Sequence, residues 1–400
     1  MTKEKSFVYS CLLFTLVSEM LLSPFYPQLF SQYFRVDGVE ATSLFIVCCR
    51  LVVIVMTPLW AVASRKWGFK RLVTGALVVM AGCKLLLPSV DTFTQFLAVS
   101  LLLLFFQSII YLLYPTIVAS SRSDQEKVRA TTTYLFVFHG SVIVSGIVGS
   151  FLISHPLPLD IYYLFACIDL LLAVVSCFII WHQPSPSEEK GKRAVLYKEG
   201  KRQGEFFIYL FVVFFFYIGH HTIRPYFTAF LEADYTVSEQ EMSLLYVMPS
   251  LTAVVLQFMM PKRILHSHVK GLLIGLTVVT SGLLLVQAAV ESYLVFIIIR
   301  IAYSLCFFIS LAAMDIFFFR SGIGERSPLL YSVVSSVQNA ALLFAPTAAF
   351  LAIQSSSMKG PFLLGGFLLI GAAVCMCLLF IKSLTPVYQL RKGVNRREYL

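Results

Sequence analysis

The sequence predicts an all-α integral membrane protein of 12 transmembrane helices, arranged as two parallel six-helix bundles with both termini in the cytoplasm. Three observations carry this expectation: an apolar excess that no water-soluble interior could hide, basic residues gathered on alternate loops, and a repeat of the pattern after about 200 residues. Of the 400 residues, 58% are hydrophobic and 13% charged, whereas a soluble domain is roughly half apolar and about a quarter charged. This composition excludes a soluble enzyme, a disordered chain and a coiled-coil or collagenous rod. One crossing needs about 20 residues, so twelve leave room only for short loops and tails.

A hydropathy window of about 19 residues places the first six spans over 7–30, 42–64, 70–90, 93–118, 131–153 and 160–181. The run from Phe7 to Phe30 contains Glu19, Pro24 and Pro27 and lacks a small-residue cleavage site, so it is a retained span and not a cleavable signal. The second six lie over 206–231, 242–261, 270–290, 292–318, 328–353 and 361–382. Between the sets, Gln183–Glu205 contains PSPSEEKGKR and KEGKRQGE, a polar, Gly/Ser/Pro-rich stretch that reads as a linker. The expected organisation is therefore an N-terminal bundle over 1–182, a cytoplasmic linker over 183–205, a C-terminal bundle over 206–382 and a basic tail over 383–400.

Orientation follows from the basic residues. With both termini cytoplasmic, all but six of the 31 Lys and Arg fall on that side. Arg35 and Lys359 are outside, and Arg50, Lys84, Arg224 and Arg300 lie within spans. That asymmetry is the positive-inside pattern, and it accounts for the net charge of +10 without a nucleic-acid partner. The lipid bilayer is the expected macroscopic partner. The nine cysteines all fall in apolar runs, are odd in number and form no CxxC pair in a polar loop. They are expected to be small buried hydrophobes, neither disulfides nor metal ligands.

Shifting the chain by 200 residues superposes Ser43, Leu44, Val47, Leu51 and Val55 on Ser243, Leu244, Val247, Leu251 and Val255. The same shift places Lys70, Leu72, Gly75 and Gly82 on Lys270, Leu272, Gly275 and Gly282. A shift of 201 lays SEMLLSPF (Ser18–Phe25) over GHHTIRPY (Gly219–Tyr226), pairing Pro24 with Pro225. Two parallel six-helix repeats joined by a cytoplasmic linker resemble the major facilitator superfamily. The loop AVASRKWGFKRL keeps Gly68, Lys70 and Arg71 of that family's motif, with Ala61 in place of its first Gly and Arg65 in place of its Asp. The fifth span, with Gly140, Ser145, Gly146, Gly149 and Ser150, is similar to the small-residue motif of drug/proton antiporters, though such spacing also serves close helix packing. In the fourth span, Leu104-x-x-Gln107-Ser108 occupies the place of an Arg common in the family. The resemblance implies a secondary transporter, a monomer, with spans 1, 4, 7 and 10 lining a central cavity, 2, 5, 8 and 11 flanking it, and 3, 6, 9 and 12 outside.

Ionisable groups inside a membrane cost roughly 2.5–3.5 kcal/mol each on insertion scales and mark ion pairs or functional sites. Lys84 and Asp169, on the supporting third and sixth spans, are expected to form a structural ion pair. Arg65 and Asp315, near cytoplasmic ends, are candidates for gating. Glu19, Arg50, Arg224 and Arg300 belong to spans expected to reach the cavity, and there the positive charge prevails. A competing arrangement pairs Glu19 with Arg50 as a purely structural contact. A guanidinium cannot shed its charge in a protein and is suited to holding an anion bidentately. The candidate substrate-binding set is Arg50, Arg224, Arg300, Gln107, Tyr111, His139, Gln338 and Asn339. Proton coupling falls to Glu19, with His220 or His221 next.

The leading expectation is a proton-coupled carrier of an organic anion such as a polycarboxylate or carboxylate-type siderophore, needing no cofactor beyond the proton gradient. Two alternatives stand beside it: a multidrug/proton antiporter, and a non-transporting sensor or scaffold on the same fold. The sequence contains no GxxxxGKS, no HExxH and no Ser/His/Asp set at one depth, so no enzyme is expected. Short loops without an Asn-x-Ser/Thr site fit a bacterial inner membrane.

Overall fold

The computed structural model describes residues 3–120, 124–179, 200–235, 237–259, 269–320 and 328–394, and every regular element among them is helical. The first span is α1 (Lys3–Met20) and α2 (Tyr26–Gln32), separated by a 3₁₀ turn at Ser23–Phe25. Pro24 and Pro27 cause the break, since each lacks an N–H and crowds the preceding turn. Spans two and three are α3 (Gly38–Trp67) and α4 (Phe69–Leu86). Span four is α5 (Phe93–Gln107) and α6 (Leu113–Ser120), broken at Ile110–Leu112. Then come α7 (Asp124–Ile153) and α8 (Ile161–Phe178). The seventh span repeats the first: α9 (Gly200–His221), a 3₁₀ turn at Arg224–Tyr226 and α10 (Phe227–Asp234). It is followed by α11 (Glu239–Met259), α12 (Val269–Ala289), α13 (Tyr293–Arg320), α14 (Pro328–Ser355) and α15 (Gly360–Val394).

Eleven of the described helical stretches are long and apolar enough to cross a membrane, and α11 stands where the eighth span is expected. The expected linker lies outside the described residues up to 199. Of the basic tail, the stretch from 395 lies outside them, while α15 continues to Val394.

The chain forms two compact units. Among the described residues, the first comprises 3–120, 124–179, 224–235 and 237–255, the second 200–223, 256–259, 269–320 and 328–394. In the first, α1 packs on α7, and α4 on both α5 and α8. In the second, α9 packs on α14, and α12 on both α13 and α15. These are equivalent pairings, spans 1–5, 3–4 and 3–6 recurring as 7–11, 9–10 and 9–12. The helix starts repeat as well. Ala41 N–H donates to Asp37 O at 2.9 Å and Met242 N–H to Ser238 O at 3.0 Å, an offset of 201. Phe96 N–H donates to Thr92 O at 3.0 Å and Phe296 N–H to Ser292 O at 2.9 Å, an offset of 200.

Small residues on the fifth span serve packing against the first. Ser141 and Ser145 donate through their hydroxyls to Leu13 O at 3.5 Å and Val17 O at 3.0 Å. One turn further on, a Cβ on Gly149 would stand 2.1 Å from Leu21 O. No residue with a side chain fits there without parting the helices.

The third and sixth spans are tied along one face. Lys70 Nζ donates to the Cys177 and Ile179 carbonyls, 2.9 Å each, closing the C-terminal end of α8. Thr74 and Ser176 hydroxyls meet at 2.7 Å. Lys84 Nζ lies 2.7 Å from Asp169 Oδ2, both side chains fully buried. Gly68, between α3 and α4, sits at φ +83°, a backbone region that L side chains rarely adopt. The loop motif thus works here as a tight turn plus a helix cap.

One expectation needs correcting. Cys11 and Cys83 are buried, but Cys167, Cys177 and Cys377 are exposed on helix surfaces. Where a helix faces lipid, its outer surface is apolar as well, so an apolar run does not separate core from lipid-facing positions.

Candidate functional site

In the first unit, the helix break after Met20 and the one after Gln107 set polar groups of the first and fourth spans against each other. Gln107 Nε2 donates to Glu19 Oε2 at 2.9 Å and to the Tyr111 hydroxyl at 2.7 Å. The Tyr111 hydroxyl in turn donates to the same Glu19 oxygen. Gln107 is buried, while Glu19 and Tyr111 are half-buried. Among the described residues no side chain bonds Glu19 Oε1, and that oxygen is not sealed from solvent. The carboxyl is therefore held on one side by neutral donors and open on the other.

Arg50, half-buried on α3, lies within electrostatic reach of Tyr111 and Cys49. It makes no ion pair with Glu19, and no carboxylate among the described residues comes within 4 Å of it. The same unit holds Arg224, half-buried in the turn between α9 and α10. Its Nε donates to the Tyr246 hydroxyl at 2.8 Å, and its guanidinium carbon lies 5.5 Å from the Tyr246 ring centroid. Arg224 likewise has no carboxylate within 4 Å among the described residues. His139 is within electrostatic reach of Arg224, and its Nδ1 is 3.3 Å from the Ser250 hydroxyl.

The second unit holds the remaining candidates. Arg300 is 5% exposed, with its guanidinium 5.3 Å from the Tyr303 ring centroid. His220 Nδ1 and the Tyr303 hydroxyl are 2.5 Å apart. The His220 ring stacks on Phe307 at 3.7 Å, while the His221 ring lies 6.1 Å from that of Tyr217. Gln338 Nε2 donates to the Tyr217 hydroxyl at 3.0 Å. Asn339, on α14, is exposed. A correspondence between repeats emerges: Glu19 touches Gln107, and at offsets of 201 and 200 His220 touches Phe307.

Lys84 and Asp169 stand apart from these groups. Among the described residues neither has a further hydrogen-bond partner, and the Phe165 ring lies 5.6 Å from the ammonium. Arg65 lies on α3 and Asp315 on α13, and the side chains of both are outside the described residues. Tyr246, Ser250, Tyr303 and Phe307 were missed by sequence reasoning. Each is an ordinary residue of an apolar helix, and no spacing distinguishes it from lipid-facing neighbours.

Apolar helices long enough to cross a membrane, in two equivalent sets, with arginines and a carboxyl within them, define an integral membrane protein. Similarity to known proteins narrows that class. The Major Facilitator Superfamily model matches residues 8–219 and again 209–397, so the chain belongs to this family, one match to each repeat. Among solved structures, the human organic anion transporter MFSD10 (TETRAN) is similar, with a TM-score of 0.68 and 15% identity over 94% of this chain and 100% of that one. The nucleoside transporter NupG, solved as a mutant, also has a TM-score of 0.68, with 12% identity and the same coverage. At such identities the likeness shows the fold alone. No curated protein matches the sequence.

Proposed function

We propose that the protein is a proton-coupled secondary transporter of an organic anion, working by alternating access in a bacterial cytoplasmic membrane. The observation that carries this reading is the state of Arg50 and Arg224, two half-buried guanidinium groups in spans 2 and 7 without a carboxylate within 4 Å among the described residues. A permanent charge inside a membrane is costly, and a ligand of opposite charge supplies the compensation. That one fold neighbour is named an organic anion transporter agrees with this. A pocket selecting lipophilic cations would be expected to carry the opposite charge balance, which disfavours the multidrug alternative. Glu19 is the coupling group. Neutralising its carboxyl removes a negative charge from the neighbourhood of Arg50 and favours entry of the anion, so proton and substrate binding reinforce each other through Coulomb interaction.

The test is flux in proteoliposomes under an imposed pH gradient, with organic anions compared against organic cations of similar size. Uptake or release of an anion is expected to follow the gradient and to fall at least tenfold in Arg224→Ala. Transport of cations alone, with Arg224→Ala indifferent, would overturn the anion reading in favour of the multidrug one.

A further inference from the structure

The guanidinium of Arg224 offers two hydrogen-bonding edges to an oxyanion: the side edge, made by Nε and one terminal nitrogen, and the end edge, made by the two terminal nitrogens. Here the side edge is taken, because Nε–H donates to the Tyr246 hydroxyl at 2.8 Å. The Tyr246 ring flanks the cation at 5.5 Å, a cation–π distance that restrains the guanidinium plane. The end edge is open: neither terminal nitrogen has a partner among the described residues, and neither is sealed from solvent. No acid among the described residues neutralises the group, since Glu232, eight residues on, accepts from Gln28 Nε2 at 2.9 Å instead. The base nearby is His139, which bears on the same charge while its Nδ1 meets the Ser250 hydroxyl. Tyr246 therefore holds the arginine in one orientation without cancelling its charge, which suits a receptor and would be wasteful in a structural contact.

We propose that Tyr246 is the positioning residue of a carboxylate subsite, in which the end edge of Arg224 receives both oxygens of a planar organic carboxylate. The inference rests on the anion-transport reading and narrows it to a substrate class and an orientation. A lysine could replace the charge but not the planar fork, so the subsite separates geometry from charge.

The test uses purified full-length protein and a panel of benzoate, phthalate and citrate, each beside its primary amide, with benzenesulfonate and phenyl phosphate as oxyanions of tetrahedral shape. Ligand-induced thermal shift supplies affinities, and liposome flux supplies KM and kcat. In the wild type, at least one carboxylate is expected to protect better than its amide and better than the tetrahedral anions. Tyr246→Phe, which keeps the ring and removes the hydroxyl, is expected to raise KM for that carboxylate about twelve- to 150-fold with little change in kcat, the size of a lost hydrogen bond to a charged group. Arg224→Lys is expected to cost tenfold or more, and adding Tyr246→Phe to it should cost nothing further, because the fork that Tyr246 orients is already gone. Should Tyr246→Phe fail to fold, as read from the ligand-free melting temperature, the Arg224→Lys loss and its restriction to carboxylates carry the test. If no anion protects the wild type, both this subsite and the anion reading fall. If carboxylates bind, but Tyr246→Phe and Arg224→Lys bind them undiminished, or phenyl phosphate is preferred, the subsite alone is overturned.

Discussion

Glu19 shows how a single residue's bonding bears on the role proposed for it. A carboxyl between two neutral donors is neither neutralised by a cation nor left without partners, and only one of its oxygens is engaged among the described residues. Glu19→Gln keeps the size and an acceptor but cannot titrate. Anion binding is expected to persist in this variant, while accumulation against a gradient disappears. Equilibrium exchange compared with gradient-driven uptake in the same liposomes separates the two effects, and full accumulation in Glu19→Gln would assign the proton to another residue.

The helix pairs carry the stability. Lys84 and Asp169 join α4 to α8 in a fully buried contact, on the same helix pair as the Thr74–Ser176 bond and the Lys70 cap. Removing one member of a buried pair leaves an uncompensated charge and costs about 3–5 kcal/mol, whereas replacing both by apolar residues of similar size is often neutral. Lys84→Met and Asp169→Leu are each expected to lower the melting temperature steeply, and the double variant to recover most of the loss with flux retained. A double variant that folds normally but transports nothing would move this pair from the scaffold into the mechanism.

At the scale of the molecule, the second half of the seventh span packs with the first span, inside the same compact unit. The Thr228 hydroxyl donates to Pro24 O, Gln28 Nε2 to Glu232 Oε2, and the Tyr226 hydroxyl to Val39 O. Both spans are broken by proline next to these contacts, which sets α2 apart from α1 and α10 apart from α9. The alternating access proposed above is expected to part α2 from α10. Paired cysteines at Gln28 and Glu232, joined by a short bifunctional thiol reagent, are expected to arrest transport, with each single cysteine variant still active. Undiminished turnover after verified crosslinking would show that these two segments stay together throughout.

Sequence alone determined the membrane class, the spans and the repeat, because hydropathy and an offset of about 200 are properties of order along the chain, whereas tertiary structure decided which prolines break a helix, since Pro58, Pro249 and Pro346 stand inside unbroken ones. The sequence also singled out Glu19, Arg50, Arg224, Lys84 and Asp169, since a charge in an apolar run needs explaining wherever it lies. Tertiary structure decided their partners. That Glu19 meets Gln107 and Tyr111 and not Arg50, that Arg224 meets Tyr246, and that Gly149 serves contact with Leu21 all depend on which face of each helix turns inward. In a membrane that choice leaves little trace in the sequence, because lipid and protein interior are both apolar.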